Sequence, residues 1–220
     1  YDQAEDKMGV TGTHGIARLP GNNNYKVLES GARAVGYSAI DTNNVAINSA
    51  TRDGRTACQQ LGFCTSGCVV HAKWSTLYTE ISKAESTDHF ELRPECMAEQ
   101  ITVDQEGRVA GVTYRDKQGQ AVTQKARMVC VAGNAVETTR ILLNSRNERF
   151  PAGLANSSGQ VGRNYMRHFA LPVIGVMPGP VNMHRGTHQA GIVKDERHHD
   201  PKRGFNGGFL FLTVPFTPEI

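Results

Sequence analysis

Between residues 98 and 132 the sequence admits few folds. Three runs, 98–103, 109–115 and 121–127, have the length and alternation of strands. They are separated by Asp104-Gln105-Glu106-Gly107 and Asp116-Lys117-Gln118-Gly119. Each tetrapeptide is Asp-first and Gly-last, which is the chemistry of a type I turn closed by a Gly bulge. Two such turns in succession predict an antiparallel meander. The apolar run 128–132 follows directly and reads as a strand buried on both faces. It breaks at Gly133 and gives way to a helix whose apolar positions are Val136, Ile141, Leu142 and Leu143. Asn134, with Glu137 three residues on, forms a capping box for that helix. The predicted fold class is α/β, or α+β where the meander dominates.

Elsewhere the pattern is sparser. Residues 1–8 read as helix ending at Gly9, and 26–35 as a short helix stopped by Gly36. Residues 37–57 are polar and irregular apart from Val45-Ala46-Ile47. From 72 to 84, Trp74, Leu77, Ile81 and Ala84 recur at helical spacing, and β-type runs occupy 171–177 and 208–214. With 39% hydrophobic residues and a mean hydropathy of -0.41 the chain is poor in aliphatics for its 220 residues. Part of its core is therefore expected from residues outside it. It begins at Tyr1 in helical pattern and stops at Pro218-Glu219-Ile220 with no closing element, so it reads as an internal piece of a longer polypeptide. A net charge of +3 spread without long runs argues against a nucleic-acid-binding protein. No apolar run approaches the roughly 20 residues of a transmembrane helix, and no leader-like segment is present.

Residues 55–73 carry Cys58, Cys64 and Cys68 in a C-x5-C-x3-C spacing dotted with Gly62 and Gly67. Such a loop can fold its sulfurs toward one point. Thiolates at this spacing suit iron or an iron–sulfur cluster, or zinc with His71 as a fourth ligand. One disulfide plus a free thiol, or three buried thiols packing a loop, are the plainer alternatives. Five cysteines cannot all pair with one another, so a pure disulfide scaffold is not expected. Cys96 and Cys130 lie beside or within apparent strands as small buried hydrophobes.

The second candidate is Val129-Cys130-Val131-Ala132-Gly133-Asn134. A buried strand, a Gly turn and a capped helix start place backbone N–H groups and a positive dipole end where nucleotide cofactors bind in open α/β sheets. Any βα unit shares these features, and the fingerprint G-x-G-x-x-G is absent: Gly9, Gly12 and Gly15 have the wrong spacing and no strand precedes them. His184 and His188 are four apart, but Arg185-Gly186 between them disfavours a helix and paired ligation. His198-His199 lies in a charged turn, and His168 follows a Gly-Asn loop after the patterned region.

Four stretches together, CQQLGFCTSGCVVHAKWST (58–76), GRVAGVTYRDKQG (107–119), VCVAGNAVETTRILLNS (129–145) and GLANSSGQVGRNYMRH (153–168), resemble the glucose–methanol–choline (GMC) family of flavin oxidoreductases. The likeness is to its bacterial gluconate, sorbitol and fructose dehydrogenase branch. It implies a two-domain architecture: a Rossmann-like FAD-binding domain with a β-meander, and a substrate-binding sheet. Residues 1–54 would belong to a substrate or cap region, 55–164 to the central FAD-binding domain, and 165–220 to the start of the substrate domain.

By the same resemblance Ala98 contacts the adenine of FAD through backbone, and Ala132, Gly133 and Asn134 lie against the flavin nucleotide. His168 matches the family's Asp-His stretch near the flavin, with Arg167 in place of the acid. Cys58, Cys64 and Cys68 match cysteines that bind a [3Fe-4S] cluster relaying electrons from FAD to a cytochrome. Many relatives carry a fourth cysteine three after the first, where this chain has Leu61. The family's pyrophosphate loop and its C-terminal catalytic histidine match nothing here, so no catalytic residue is assigned. The implied activity is FAD-dependent oxidation of an alcohol or sugar CH–OH, with hydride passing to flavin N5 and electrons going onward to an acceptor. A cluster-free oxidase relative and a non-catalytic metal- or iron–sulfur-binding remnant are the rival readings. Related dehydrogenases work in the periplasm or at the membrane; the residues themselves leave the compartment, cytoplasm included, open.

Overall fold

The computed structural model describes residues 1–214, so the terminal Pro218-Glu219-Ile220 lies outside the described residues. The chain forms mixed α/β structure with two small antiparallel sheets, divided between two compact units. One unit comprises Tyr1–Phe90 with the chain from Ile174 onward, and the other Glu91–Val173.

In the first unit α1 (Asp2–Met8) ends where Gly9 adopts φ 68°, a left-handed cap that costs glycine little. Helix α2 (Asn23–Ala34) begins earlier than its apolar spacing suggested. The Asn22 side chain caps it by accepting the Tyr25 N–H at 2.9 Å. Two short strands, β1 (Ile40–Thr42) and β5 (Gly191–Val193), pair antiparallel, with β6 (Phe211–Leu212) beyond β5. Three-residue strands are too short for alternation to reveal, and β1 lies in the stretch read as irregular. Of the run 208–214 only β6 pairs, and 171–177 forms no strand.

The helix expected over 72–84 is broken. Residues Thr76–Tyr78 form a single 3-10 turn, and only α3 (Glu80–Glu85) is α-helical. The preceding residues have another use: Lys73 bridges Ile47 and the Trp74 N–H donates to the Ala46 carbonyl at 2.8 Å. Backbone committed to a β-type bridge cannot also close helical turns.

The second unit contains the meander, β2 (Met97–Val103), β3 (Val109–Arg115) and β4 (Ala121–Lys125), in that spatial order. Both turns form as expected. The Asp104 carboxylate accepts the Arg108 N–H at 2.8 Å, the Asp116 carboxylate accepts those of Gln118 and Gln120, and Gly107 and Gly119 hold positive φ. The run 128–132 is a correction: it forms no strand, and Met128 is 85% exposed. A strand buried on both faces needs neighbours to pair with, and none of the described residues pairs with it.

Helix α4 (Asn134–Asn144) covers β2. Only half of the expected capping box exists. The Asn134 carbonyl oxygen accepts the Val136 and Glu137 N–H groups at 2.8 and 3.2 Å, while the Glu137 carboxylate turns to Arg140 instead. One side chain of α4 and one just past its end satisfy the outer edge of β2, where the register shifts between Ala98 and Gln100. Arg140 donates to the Ala98 carbonyl at 2.8 Å, and the Ser145 hydroxyl just past the helix accepts the Ile101 N–H at 2.8 Å. Ser145 is fully buried and Ile101 nearly so.

Ser145→Ala would leave the Ile101 N–H without an acceptor in a dry site, at a cost of about 1–3 kcal/mol. Urea unfolding should show a lower midpoint at unchanged slope, and a loss below about 0.5 kcal/mol would deny the bond that role.

Candidate functional site

The cysteine loop is positioned by a segment the sequence did not single out. Asn48, 2% exposed, joins both ends of the loop: its carbonyl accepts the Cys58 N–H at 2.8 Å and its N–H donates to Ala72 at 2.9 Å. Its side-chain amide is shared among the carbonyls of Arg52, Arg55 and Thr56. Between these carbonyls, Asp53 and Gly54 hold positive φ while Arg52 and Arg55 exchange backbone hydrogen bonds. That is a two-residue hairpin turn, and the Asp-Gly dipeptide was the available signal for it. Within the loop the Thr56 hydroxyl donates to the Val70 carbonyl and Lys73 Nζ to that of Cys64, at 3.0 and 2.7 Å.

This frame brings Cys58, Cys64 and Cys68 to one small hollow, half-buried against Leu19, Ile47 and Ala72. All five cysteines are free thiols, so the disulfide alternative is not realised. Burial pushes the Cys58 thiol above its ordinary value. The Gln60 N–H, donating to its sulfur, opposes the rise, and the neighbouring Cys64 and Cys68 reinforce it. His71 stacks face to face on Tyr78, with ring centroids 3.9 Å apart.

Among the described residues, no cysteine belongs to a set of three ligating atoms all within 4.8 Å of one another. One tetrahedral zinc, with Zn–S of about 2.3 Å, would hold its sulfurs about 3.8 Å apart. Three thiols spread more widely suit separate irons of a cluster better than one ion. The hollow holds about 20 Å³, room for one water, and its walls include the exposed side chains of Leu61, Phe63 and Val69.

The remaining predicted residues lie in the second unit. Ala98 sits at the β2 irregularity with its carbonyl taken by Arg140. Ala132 and Gly133 lead into α4, and Asn134, with φ 66°, caps it. Because Asn134 occupies the Val136 and Glu137 N–H groups, this helix start is no open phosphate cradle, in keeping with the missing G-x-G-x-x-G. The apolar stretch 128–132 ahead of it is free of backbone hydrogen bonds among the described residues and exposes Met128 and Cys130. His168 is exposed and makes no hydrogen bond among the described residues. Sequence reasoning missed Arg140 and Ser145, whose spacing from Ile141 on α4 was the only hint of their role.

The sequence profile of GMC oxidoreductase matches residues 1–170, and the chain belongs to that family. It is 32% identical over 188 residues to paromamine 6'-oxidase of Streptomyces fradiae, covering 82% of this chain and 34% of that protein. It is 30% identical over 181 residues to the fructose dehydrogenase large subunit of Gluconobacter japonicus, covering 76% and 33%. It is 35% identical over 123 residues to 2-methyl-1,2-propanediol dehydrogenase of Mycolicibacterium austroafricanum, covering 54% and 22%. The chain thus spans about a third or less of the length of these relatives. No helix among the described residues is long and apolar enough to cross a membrane.

The raised Cys58 thiol has a measurable sign. In metal-free protein, Cys58 should react with iodoacetamide more slowly than the same thiol in the unfolded chain near pH 8.5, the ordinary thiol value. Because the folded value is the higher one, this contribution to stability is complete below the ordinary value and is lost as pH rises toward the folded one. Peptide-resolved alkylation against pH checks this. Equal rates folded and unfolded would contradict it.

Proposed function

We propose that this chain is the central part of an FAD-dependent oxidoreductase that oxidises CH–OH groups of alcohols or sugars. In this reading electrons pass onward to a cytochrome or other acceptor by way of a [3Fe-4S] cluster on Cys58, Cys64 and Cys68. The family match over residues 1–170 carries the flavin part of the reading, and the spacing of the three cysteines motivates the cluster. The names of two relatives, a fructose dehydrogenase and a 2-methyl-1,2-propanediol dehydrogenase, support a hydroxylated substrate.

Each part of the chain has a role in this proposal. Residues 55–164 contribute to a Rossmann-like FAD-binding domain, 165–220 open the substrate-binding domain, and 1–54 belong to a substrate or cap region. Ala98 meets the adenine through backbone, and Ala132, Gly133 and Asn134 line the nucleotide. Arg140 and Ser145 lock α4 to β2, so the two walls on which these residues stand keep a fixed separation. His168 stands on the loop assigned to the flavin side. When bound, FAD supplies the acceptor for the hydride leaving the substrate carbon. A cluster, when bound, supplies a one-electron relay, held by soft thiols in an apolar surround that disfavours water. The base for the substrate hydroxyl comes from the rest of the intact protein.

An anaerobic absorption spectrum of the intact protein, with flavin and iron quantified, tests both parts. The expected result is about one flavin and about three irons per chain. Cys64→Ser should remove the iron and leave the flavin. A protein without flavin would overturn the proposal. Flavin without iron would reduce the cysteines to a structural role and favour direct transfer to the acceptor, as in an oxidase.

A further inference from the structure

The chain carries one Asn-Gly dipeptide, Asn206-Gly207, and the structure surrounds it with chemistry that the oxidoreductase function leaves unused. Asparagine followed by glycine is the pairing most prone to cyclise. The backbone nitrogen of the second residue attacks the side-chain carbonyl of the first, and glycine has no side chain to hinder the approach. Asn206 and Gly207 are both exposed, and a side chain built at Gly207 would meet no atom within 4 Å. The space around the attacking nitrogen is therefore open.

The partner of that nitrogen is what singles out this pair. The Gly207 N–H donates to Nδ1 of His199, eight residues back in the charged turn, at 3.2 Å. Backbone N–H groups in folded chains are mostly paired with carbonyl oxygens, which hold the proton in place and so protect the amide. An imidazole nitrogen that accepts a hydrogen bond is unprotonated and can take the proton itself. Cyclisation needs the glycine nitrogen deprotonated, and here a base stands within hydrogen-bonding reach of it.

Both sides of the contact are held. Arg203 pairs with the Glu196 carboxylate and donates to the carbonyls of Glu196 and His198 at 3.3 and 2.8 Å, which fixes the chain leading into His199. The Asp200 side chain accepts the Lys202 N–H at 3.0 Å and starts the 3-10 turn Pro201–Arg203. On the other side, the rings of Phe205 and Phe209 approach to 6.4 Å across Asn206-Gly207-Gly208, and Arg203 lies over the Phe209 ring. The Phe209 N–H closes the loop on the Glu196 carbonyl at 2.9 Å.

We propose that Asn206 is a self-modification site, deamidated with His199 as the general base. His199 Nδ1 takes the Gly207 amide proton as that nitrogen bonds to the Asn206 side-chain carbonyl carbon. The bond from this carbon to the side-chain nitrogen breaks, and ammonia leaves with the proton that His199 returns. Water then opens the resulting succinimide to aspartate or isoaspartate. Overall, water is consumed and ammonia released, with no change of oxidation state. Either product sets a carboxylate at 206, and isoaspartate also lengthens the backbone by a methylene. Gly208 lies close on the Arg197 backbone, which a Cβ there would meet at 2.4 Å, so the lengthened chain presses on the Glu196–Phe209 closure ahead of β6. The proposal stands apart from the flavin and cluster assignments.

Ageing of the intact protein at neutral pH, followed by peptide mapping in a mass spectrometer, tests it. The peptide holding Asn206 should convert to the acid at least about tenfold faster in the folded protein than in the same chain unfolded in guanidinium, short of the roughly hundredfold of an enclosed base because this site is open to water. His199→Asn keeps an acceptor for the Gly207 N–H but cannot take its proton. It should slow the folded rate by about the same factor, with amide exchange over 205–209 unchanged. Methyl transfer from S-adenosylmethionine by a protein isoaspartyl methyltransferase should label this peptide in aged wild type and not in aged Asn206→Gln. A folded rate no higher than the unfolded one would overturn the proposal. So would a His199→Asn variant that converts as fast as the wild type.

Discussion

Asn48 is the residue on which the cysteine-bearing unit depends. Its backbone joins the two ends of a long irregular loop, and its side chain closes the hairpin that feeds the first cysteine. Loops of this length carry many backbone groups that regular structure does not satisfy, and they keep one shape only where such groups find fixed partners. Asn48 supplies those partners at 2% exposure, beside Leu19, Ile47 and the fully buried Ala72. The thiols owe their common position to this clamp more than to any attraction among themselves. The Cys64 and Cys68 sulfurs in fact oppose ionisation of Cys58, which burial already disfavours.

The other unit solves a different problem. A three-stranded meander is only marginally stable until one face is covered, and its edge strand presents unpaired backbone groups. Helix α4 covers β2 and also ends the exposure of its edge, through Arg140 at Ala98 and Ser145 at Ile101. The irregularity at Ala98 thereby becomes a fixed point where backbone geometry, unlike side-chain geometry, is held from both sides.

The meander was legible because its turns are written in residue chemistry: Asp accepting backbone N–H groups and Gly supplying positive φ act locally, with no need of the rest of the fold. The caps at Asn22 and Asn134 are local in the same way, although Glu137 chose Arg140 over the capping box. What escaped was non-local. Trp74 and Lys73 pair with residues 46 and 47, and that long-range bridge overrode a helical period that was present in the sequence. Strands of two or three residues such as β1 and β6 have no period to detect. The run 128–132 has the composition of a buried strand, but pairing is a property of its neighbours, not of its own side chains. In the same way the three cysteines announced a common site, whereas the residues that shape it, Asn48 and the Asp53-Gly54 turn, carried a weaker signal.

Amide hydrogen exchange on the intact protein, with Asn48→Asp beside the wild type, tests the clamp most directly. Aspartate keeps the shape but loses the amide donors and sets a carboxylate against three carbonyls, a change of about 2 kcal/mol or more. Exchange in peptides covering 45–58 and 70–76 should then quicken about thirtyfold or more, while 97–115 is unchanged. Equal protection of both cysteine-loop ends in the variant and the wild type would contradict the account, because the loop would then be held by something other than Asn48.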